Sequence, residues 1–340
     1  MSVRASVIIP NWNGAHHLET CLDALGDQTV RDFEVVVVDN GSTDASVTLL
    51  ESRFPWVRVV ALAQNGGFSA AVNAGIHATQ GEYVVLLNND TCARSDWLEA
   101  LLSTMNAWPE ASFGASKMLR FDPPHPIDSA GDRFSLISGA GINIGAGEPE
   151  DHHSDNAWVF GACAGAAIYR RALFDDIGLF DEEFFLIFED TDLSLRAQTA
   201  GHRCLYIADA IVYHVRGAST DSHRVEVQAR AWRNVIWVAG KNLPPGLLFA
   251  WASLLGLRLC VQALRSLLRR RPAPSADGST PGPGLRARLS IYTAALRQAL
   301  RRLPAKRREV AGTRRTGSLR LLPTLLRQRQ AVDDPLSPGS

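Results

Sequence analysis

The sequence predicts an α/β protein: a mostly parallel sheet flanked by helices, with a C-terminal helical extension. Three observations carry this. Residues 5–120 alternate apolar runs with amphipathic stretches of about ten residues, the rhythm of parallel strands joined by right-handed helical crossovers. The apolar runs, above all Tyr83-Val84-Val85-Leu86-Leu87, are continuous rather than alternating, as in strands covered on both faces. The runs lead into Pro, Asn, Asp and Gly, and the carboxyl ends of strands are where open α/β sheets bind ligands.

Taken in order, strand Ser6–Ile9 ends at Pro10-Asn11-Trp12-Asn13-Gly14 and leads into helix His17–Leu25. Strand Glu34–Val38 ends at Asp39-Asn40-Gly41-Ser42-Thr43-Asp44, before helix Asp44–Arg53. Strand Val57–Leu62 runs to Asn65-Gly66-Gly67-Phe68 and helix Ser69–Thr79. Strand Tyr83–Leu87 ends at Asn88-Asn89-Asp90, before helix Asp96–Ala107 and strand Ser112–Met118. One polar loop after a strand is ordinary turn chemistry. Four of them form a ligand-lined crest.

Residues 121–155, rich in Pro, Gly, Asp and His, predict irregular loops or short strands over that crest. Order returns at Trp158–Tyr169, where Gly161-Ala162-Cys163-Ala164-Gly165 would let backbone approach a substrate closely. Helix Asp190–Ala200 stops at Gly201, and strands Arg203–Ile207 and Ile211–His214 follow. The resulting division is 1–220 catalytic, 221–270 helical, 271–284 linker, 285–310 basic helix and 311–340 disordered tail. Within it, helix Val225–Lys241 is broken at Pro244-Pro245-Gly246 and followed by an apolar helix, Leu247–Leu268. The apolar run there before Arg258, Leu243–Leu257, is 15 residues, short of the roughly 20 that span a bilayer.

Formal charge is zero but unevenly divided: residues 1–215 hold 12 Lys+Arg against 29 Asp+Glu, and residues 216–340 hold 23 against 6. An acidic body and a basic segment facing an anionic surface follow, the membrane being one such surface. Packing of the basic helices on the body or on a second copy of the chain is the other reading. Five scattered cysteines with no CxxC pair exclude a zinc knuckle or a disulfide framework, and point to a reducing compartment. The first strand begins within a few residues of Met1, leaving no room for a signal peptide.

A diphosphate ligand needs cationic compensation. No GxxxxGK[ST] or GxGxxG sequence is present, and Lys117 is the sole lysine before residue 216. A divalent cation held by one or two protein groups would meet the need, with Asp90 as oxygen ligand and His214 as nitrogen ligand. The plainer readings are an Asx turn or helix cap for Asp90 and a satisfied strand-end histidine for His214. Glu189-Asp190 reads either as helix-start acids, worth roughly 0.3–1 kcal/mol each, or as a general base beside a second carboxyl.

The order and spacing of these segments resemble the inverting nucleotide-sugar glycosyltransferases of family 2, particularly the bacterial rhamnosyltransferase-like branch. The likeness runs from residue 3 to about residue 243. It is carried by Val7-Ile8-Ile9-Pro10-Asn11-Trp12-Asn13-Gly14, Val38-Asp39-Asn40-Gly41-Ser42, Asn65-Gly66-Gly67-Phe68 with Asn73, and Leu87-Asn88-Asn89-Asp90. Further on it includes Gly178-Leu179-Phe180-Asp181-Glu182 and Phe188-Glu189-Asp190-Thr191-Asp192-Leu193, then Arg196, Gly201 and His214. The resemblance implies a GT-A fold and an inverting single displacement. It assigns Asp39 to the pyrimidine or ribose, and Pro10 and Trp12 to the base pocket. Asn13, Asn65, Gly67, Asn73, Asn88 and Asn89 join the donor site. Asp90 and His214 hold Mg2+ or Mn2+, and Asp190, beside Glu189, is the base. A dTDP- or UDP-sugar, rhamnose foremost, and a lipid-linked or polysaccharide acceptor are the implied substrates. No nucleic acid is expected, and the implied place is the cytoplasmic face of the cell membrane. Asn88-Asn89-Asp90 departs from the family's frequent two-acid metal motif by offering one acid. A nucleotidyltransferase, or an inactive membrane-docked scaffold of the same fold, is the alternative.

Overall fold

The structure, a computed structural model, describes residues 3–215, 225–268, 285–326 and 330–331. The first half is a regular βα succession: β1 (Ala5–Asn11), α1 (Ala15–Gly26), β2 (Phe33–Asp39), α2 (Ser46–Arg53), β3 (Arg58–Ala61), α3 (Phe68–Ala78) and β4 (Tyr83–Leu87). β5 (Thr91–Ala93), α4 (Trp97–Ala107) and β6 (Ala111–Arg120) follow. Three short strands cover residues 121–155: β7 (Ile127–Ala130), β8 (Asp132–Ser135) and β9 (Ala140–Asn143). Then come β10 (Ala157–Val159), β11 (Ala166–Arg170), α5 (Arg171–Ile177), α6 (Glu189–Ala200) and β12 (Arg203–His214). The C-terminal part is helical, with α7 (Val225–Asn242), α8 (Pro245–Leu268), α9 (Leu285–Glu309) and α10 (Ser318–Leu326), and ends in the two-residue β13 (Gln330–Ala331).

The main sheet has the order β13-β10-β12-β6-β11-β4-β1-β2-β3. β4, β1, β2 and β3 are mutually parallel, and β6 and β12 are parallel to each other, while β11 runs antiparallel between the two groups. Both faces are covered, which is why the strands are apolar throughout. Val7, Ile9, Val35, Val37 and Val85 pack with Leu18, Leu22, Trp97 and Leu101 from α1 and α4. Their neighbours Ile8, Val36, Val38, Val84 and Leu86 pack with Val72, Ile76 and Leu193 from α3 and α6.

Register fixes the crest. β1 and β2 pair with Asn11 opposite Asp39, and β5 pairs antiparallel with β12, placing Thr91 opposite His214. β12 is one strand across both stretches read from sequence, with register shifts between Arg203 and Cys204 and between Ile207 and Ile211.

A third core joins the C-terminal helices to the body: Trp237, Leu243, Trp251, Ala299, Leu321 and Leu325 pack with Phe134, Phe160 and Phe184. The tail expected to be disordered therefore contains a helix, α10. Leu321 and Leu325 give it an apolar pair at i and i+4, and both are buried in that core. α8 begins with Pro245 at its first position, where a missing N–H costs nothing. Among the described residues, no helix is long and apolar enough to cross a membrane. The linker read over 271–284 lies outside the described residues.

Candidate active site

One end of the crest is a web of amides around Asp39. Asn11 Nδ2 donates to Asp39 Oδ1 (3.3 Å), and the Ser42 amide donates to Asp39 Oδ2 (3.1 Å). Asn89 Nδ2 donates to Asn11 Oδ1 (2.7 Å), tying the β4 loop to the β1 loop. Asn13 Oδ1 accepts from the Thr43 amide (2.7 Å). Asn40 Nδ2 reaches Asn65 Oδ1 (3.1 Å) and the Gly67 carbonyl (3.0 Å), joining the second loop to the third. Trp12 stands 49% exposed beside half-buried Pro10. Gly67 has φ 88°, and a side chain there would collide with the Phe185 carbonyl. That position needs glycine twice over.

Asn73 has a different place from the one expected. It is buried on α3, its Nδ2 donates to the Phe180 carbonyl (2.8 Å) and Glu182 Oε1 (3.0 Å), and its Oδ1 accepts from the Phe180 amide (3.1 Å). The inward face of α3 points at residues 178–184, so Asn73 clamps that segment instead of facing the donor loops.

At the other end, β5 follows Asp90 directly, so no helix is present for Asp90 to cap. Its carbonyl accepts from the Val215 amide (2.8 Å), and its Oδ1 lies 3.4 Å from His214 Nε2. His214 Nδ1 sits 2.9 Å from Oδ2 of Asp128 on β7, a residue the sequence reading missed. Both carboxylates are buried. Burial would lower the His214 pKa, but hydrogen bonds and charges from Asp128 and Asp90 outweigh it and lift it to about 9. Deprotonated, an imidazole oriented through one nitrogen by a carboxylate, with its other nitrogen facing a second carboxylate, would make with it a nitrogen–oxygen donor pair better suited to Mn2+ than to Mg2+. Two protein ligands leave coordination positions for ligand oxygens. Among the described residues, no group of three or more His, Cys, Asp or Glu side chains could hold a metal by itself.

The acidic half begins at α6. Asp190 Oδ1 accepts from the Thr191 amide (2.6 Å), and Oδ2 accepts from the Ala164 amide (3.4 Å). One residue on, the Gly165 carbonyl accepts from the Asn88 amide (2.8 Å). The Cys163-Ala164-Gly165 turn thus holds Asp190 on one side and the Asn88-Asn89-Asp90 loop on the other. Asp190 is not a helix cap: the N-cap is Phe188, at φ 70° and without a side-chain cap bond. Glu189 and Asp132, the latter also missed from sequence, are buried beside it. Burial raises the pKa of all three carboxyls, and the charge of Asp190 pushes Glu189 and Asp132 up further. Asp190 is the more open of the Glu189-Asp190 pair.

The loop before α6 is strained and externally held. Phe185, Ile187 and Phe188 have φ of 68°, 72° and 70°, which non-glycine residues adopt only when their surroundings impose it. Asn234 of α7 imposes it: its Nδ2 faces the carbonyls of Phe184 (3.1 Å), Leu186 (3.0 Å) and Ile187 (2.7 Å). Below, Asp192 accepts from Arg196 (2.9 Å), Lys241 (3.0 Å) and Asn242 (2.7 Å). Asp181 accepts from Lys241 (2.8 Å) and Lys306 (2.7 Å). Helical spacing alone gives Asn234, Lys241 and Lys306 no functional signal.

The model of the family "Glycosyl transferase family 2" matches residues 6–178. Over 244 residues the chain is 31% identical to N-acetylglucosaminyl-diphospho-decaprenol L-rhamnosyltransferase of Mycobacterium tuberculosis, covering 63% of this chain and 76% of that protein. In fold it is similar to S. aureus TarS 1–349 solved with UDP, at TM-score 0.53 and 19% identity over 90% of this chain and 88% of that one. GalNAc-T7, solved with UDP, GalNAc and Mn2+, gives TM-score 0.57 at 15% identity, covering 70% of this chain and 48% of that one. The family match covers all four strand-end loops, and the mycobacterial relative extends the likeness through more of the chain, so the chain belongs to glycosyl transferase family 2, as a glycosyltransferase of GT-A fold.

Proposed function

We propose that this glycosyltransferase works by inverting displacement, moving a sugar from a dTDP- or UDP-sugar to a hydroxyl of a lipid-linked or polysaccharide acceptor in cell-envelope synthesis. Rhamnose is the leading sugar. The observation that carries this is the Cys163-Ala164-Gly165 turn, which sets Asp190 beside the Asn88-Asn89-Asp90 loop. Asp39 receives the nucleoside, with Pro10 and Trp12 along the base. Asp90 and His214 would hold Mg2+ or Mn2+, in keeping with the Mn2+ and UDP of the GalNAc-T7 structure. When bound, the cation offsets charge on the departing nucleoside diphosphate. Asp190 takes the acceptor proton as the new glycosidic bond forms. The mycobacterial relative, named for a lipid-diphosphate-linked acceptor and for rhamnosyl transfer, supports both substrate assignments. Such an acceptor places the enzyme peripherally, at the cytoplasmic face of the membrane.

A nucleotide-sugar panel with lipid-linked and soluble acceptors, read by nucleoside diphosphate release, tests this. The expected result is turnover with dTDP-rhamnose or a UDP-sugar that needs Mg2+ or Mn2+ and stops in EDTA. Asp90→Asn should lower it roughly 10²–10³-fold, by loss of the metal carboxylate. Full turnover in EDTA overturns the metal assignment. Release of inorganic diphosphate from a nucleoside triphosphate and a sugar phosphate would instead identify a nucleotidyltransferase.

A further inference from the structure

A second depression adjoins the acidic half of the site. It is a cavity of about 230 Å³ lined by Ala140 of β9, by Phe188, by Trp232 and Val235 of α7, and by Leu255 and Arg258 of α8. Its wall and the start of the catalytic helix share residues. Phe188 is the N-cap of α6, two positions before Asp190. Gly141, next to Ala140, faces Thr191 so closely that a Cβ would come within 2.6 Å of its hydroxyl. The lining is apolar apart from Ser138 and Arg258. Arg258 is exposed, and among the described residues no carboxylate pairs with it. It stands amid Leu254, Leu257 and Val261 on α8, which are 46%, 63% and 38% exposed. Those residues and Arg258 recur at i, i+3, i+4 and i+7, the spacing of one helix face.

The cavity is smaller than the roughly 300–1,000 Å³ of pockets that enclose a small molecule. It suits one segment of a longer apolar chain, continued along the exposed face of α8. An unpaired guanidinium at the rim suits a diphosphate, which it can grip through two oxygens. We propose that this pocket binds an isoprenoid lipid diphosphate: the tail enters between α7, α8 and β9, Arg258 pairs with the diphosphate, and a sugar carried on it is presented to Asp190. The proposal rests on the lipid-linked branch of the function proposed above and adds the site that reads the lipid.

The test uses the full chain with Mg2+ and saturating UDP, so that the donor site is filled, and measures farnesyl diphosphate binding by calorimetry. Farnesyl diphosphate should bind about tenfold or more tightly than inorganic diphosphate or farnesol. Arg258→Ala and Trp232→Ala should each weaken it by about tenfold, with UDP affinity and melting temperature unchanged. The proposal is overturned if farnesyl diphosphate does not bind, if both variants bind it normally, or if inorganic diphosphate binds as well. Equal displacement by anionic vesicles lacking isoprenoid also overturns it, since a general membrane surface would then explain the site. The two readings separate on turnover. Unchanged transfer to a lipid-linked acceptor in both variants removes this pocket and leaves glycosyl transfer intact. The expected binding pattern in a chain that transfers no sugar in the panel keeps the pocket and removes the transferase reading.

Discussion

At Asp190, the proposed base, two influences on the carboxyl oppose each other. Burial raises its pKa, while amide donors from Thr191 and Ala164 keep the charged form accessible. Glu189 and Asp132 are pushed up by burial and by the charge of Asp190. Asp190 is held next to the Asn88 loop through the Cys163-Ala164-Gly165 turn. Asp190→Asn retains the acceptor for the Thr191 amide but cannot take a proton. Turnover should fall roughly 10²–10⁴-fold, the usual size of a general-base contribution. Because a buried charge is removed, melting temperature should hold or rise. Loss of stability with specific activity intact would show that Asp190 serves the helix and not the reaction.

Between elements, the strained loop of residues 184–188 joins the strand-end loops to α6. Its Phe185 carbonyl covers Gly67, its end starts α6, and α7 holds it through Asn234. α7 is therefore part of the scaffold of the candidate site. Asn234→Ala leaves the Leu186 and Ile187 carbonyls without this donor, while the Phe184 carbonyl still accepts from the Leu186 amide and Arg233, and it releases the left-handed backbone. We expect a loss of about 1–3 kcal/mol in stability from the unpaired groups. We also expect a kcat reduced roughly tenfold or more through misplacement of Asp190. UDP affinity should change little, because Asp39 and Asn11 are fixed by the β1–β2 register. Kinetics and UDP titration of the variant check this, and a normal kcat would exclude the positioning role.

Across the whole molecule, the opposite charges of the two regions meet inside the protein. Lys241 and Lys306 bridge to Asp181 and Asp192, Arg302 reaches Glu183 (2.8 Å), and Arg315 reaches Asp176 (2.6 Å). Part of the anionic surface expected for the basic helices is thus the catalytic body. The exposed pairs, Arg302–Glu183 and Arg315–Asp176, contribute little, because solvent screens them. The buried ones control how the helices dock. Burial would raise the Asp181 pKa, but Lys241 and Lys306 outweigh it and lower it to about 2. A depressed carboxylate pKa gives stability that is complete above the unfolded value near 4 and is lost as pH falls through about 2. Roughly 2 kcal/mol should disappear across that window. Denaturant melts from pH 5 to pH 2 should show this loss in the wild type and a shallower slope in Asp181→Asn. Equal slopes would mean that the pair does not hold the helices.

Local chemistry determined much of this protein in advance. Continuous apolar runs and the turns that end them declare a parallel sheet. Asp39, Asp90, Asp190 and His214 stand out because each follows a strand or opens a helix in a motif of fixed order. Asp128, Asp132, Asn234 and Lys241 carry no such mark. Asp128 and Asp132 lie in the irregular stretch of residues 121–155, and the value of Asp128 arises only when β12 brings His214 beside β7. Asn234 and Lys241 sit on a helix that looks independent until Trp237, Phe184 and Ala299 bury it against the body. Asn73, placed by motif with the donor loops, faces inward because the α3 face that carries it packs on residues 178–184. The tail of residues 311–340 reads as disordered because its apolar residues are too few to fold alone, yet Leu321 and Leu325 complete a core supplied by other segments. Periodicity and turn chemistry are properties of neighbours in sequence. The partner of a lone carboxylate or amide is set by pairing register and helix docking over tens of residues, and those exist only in the folded chain.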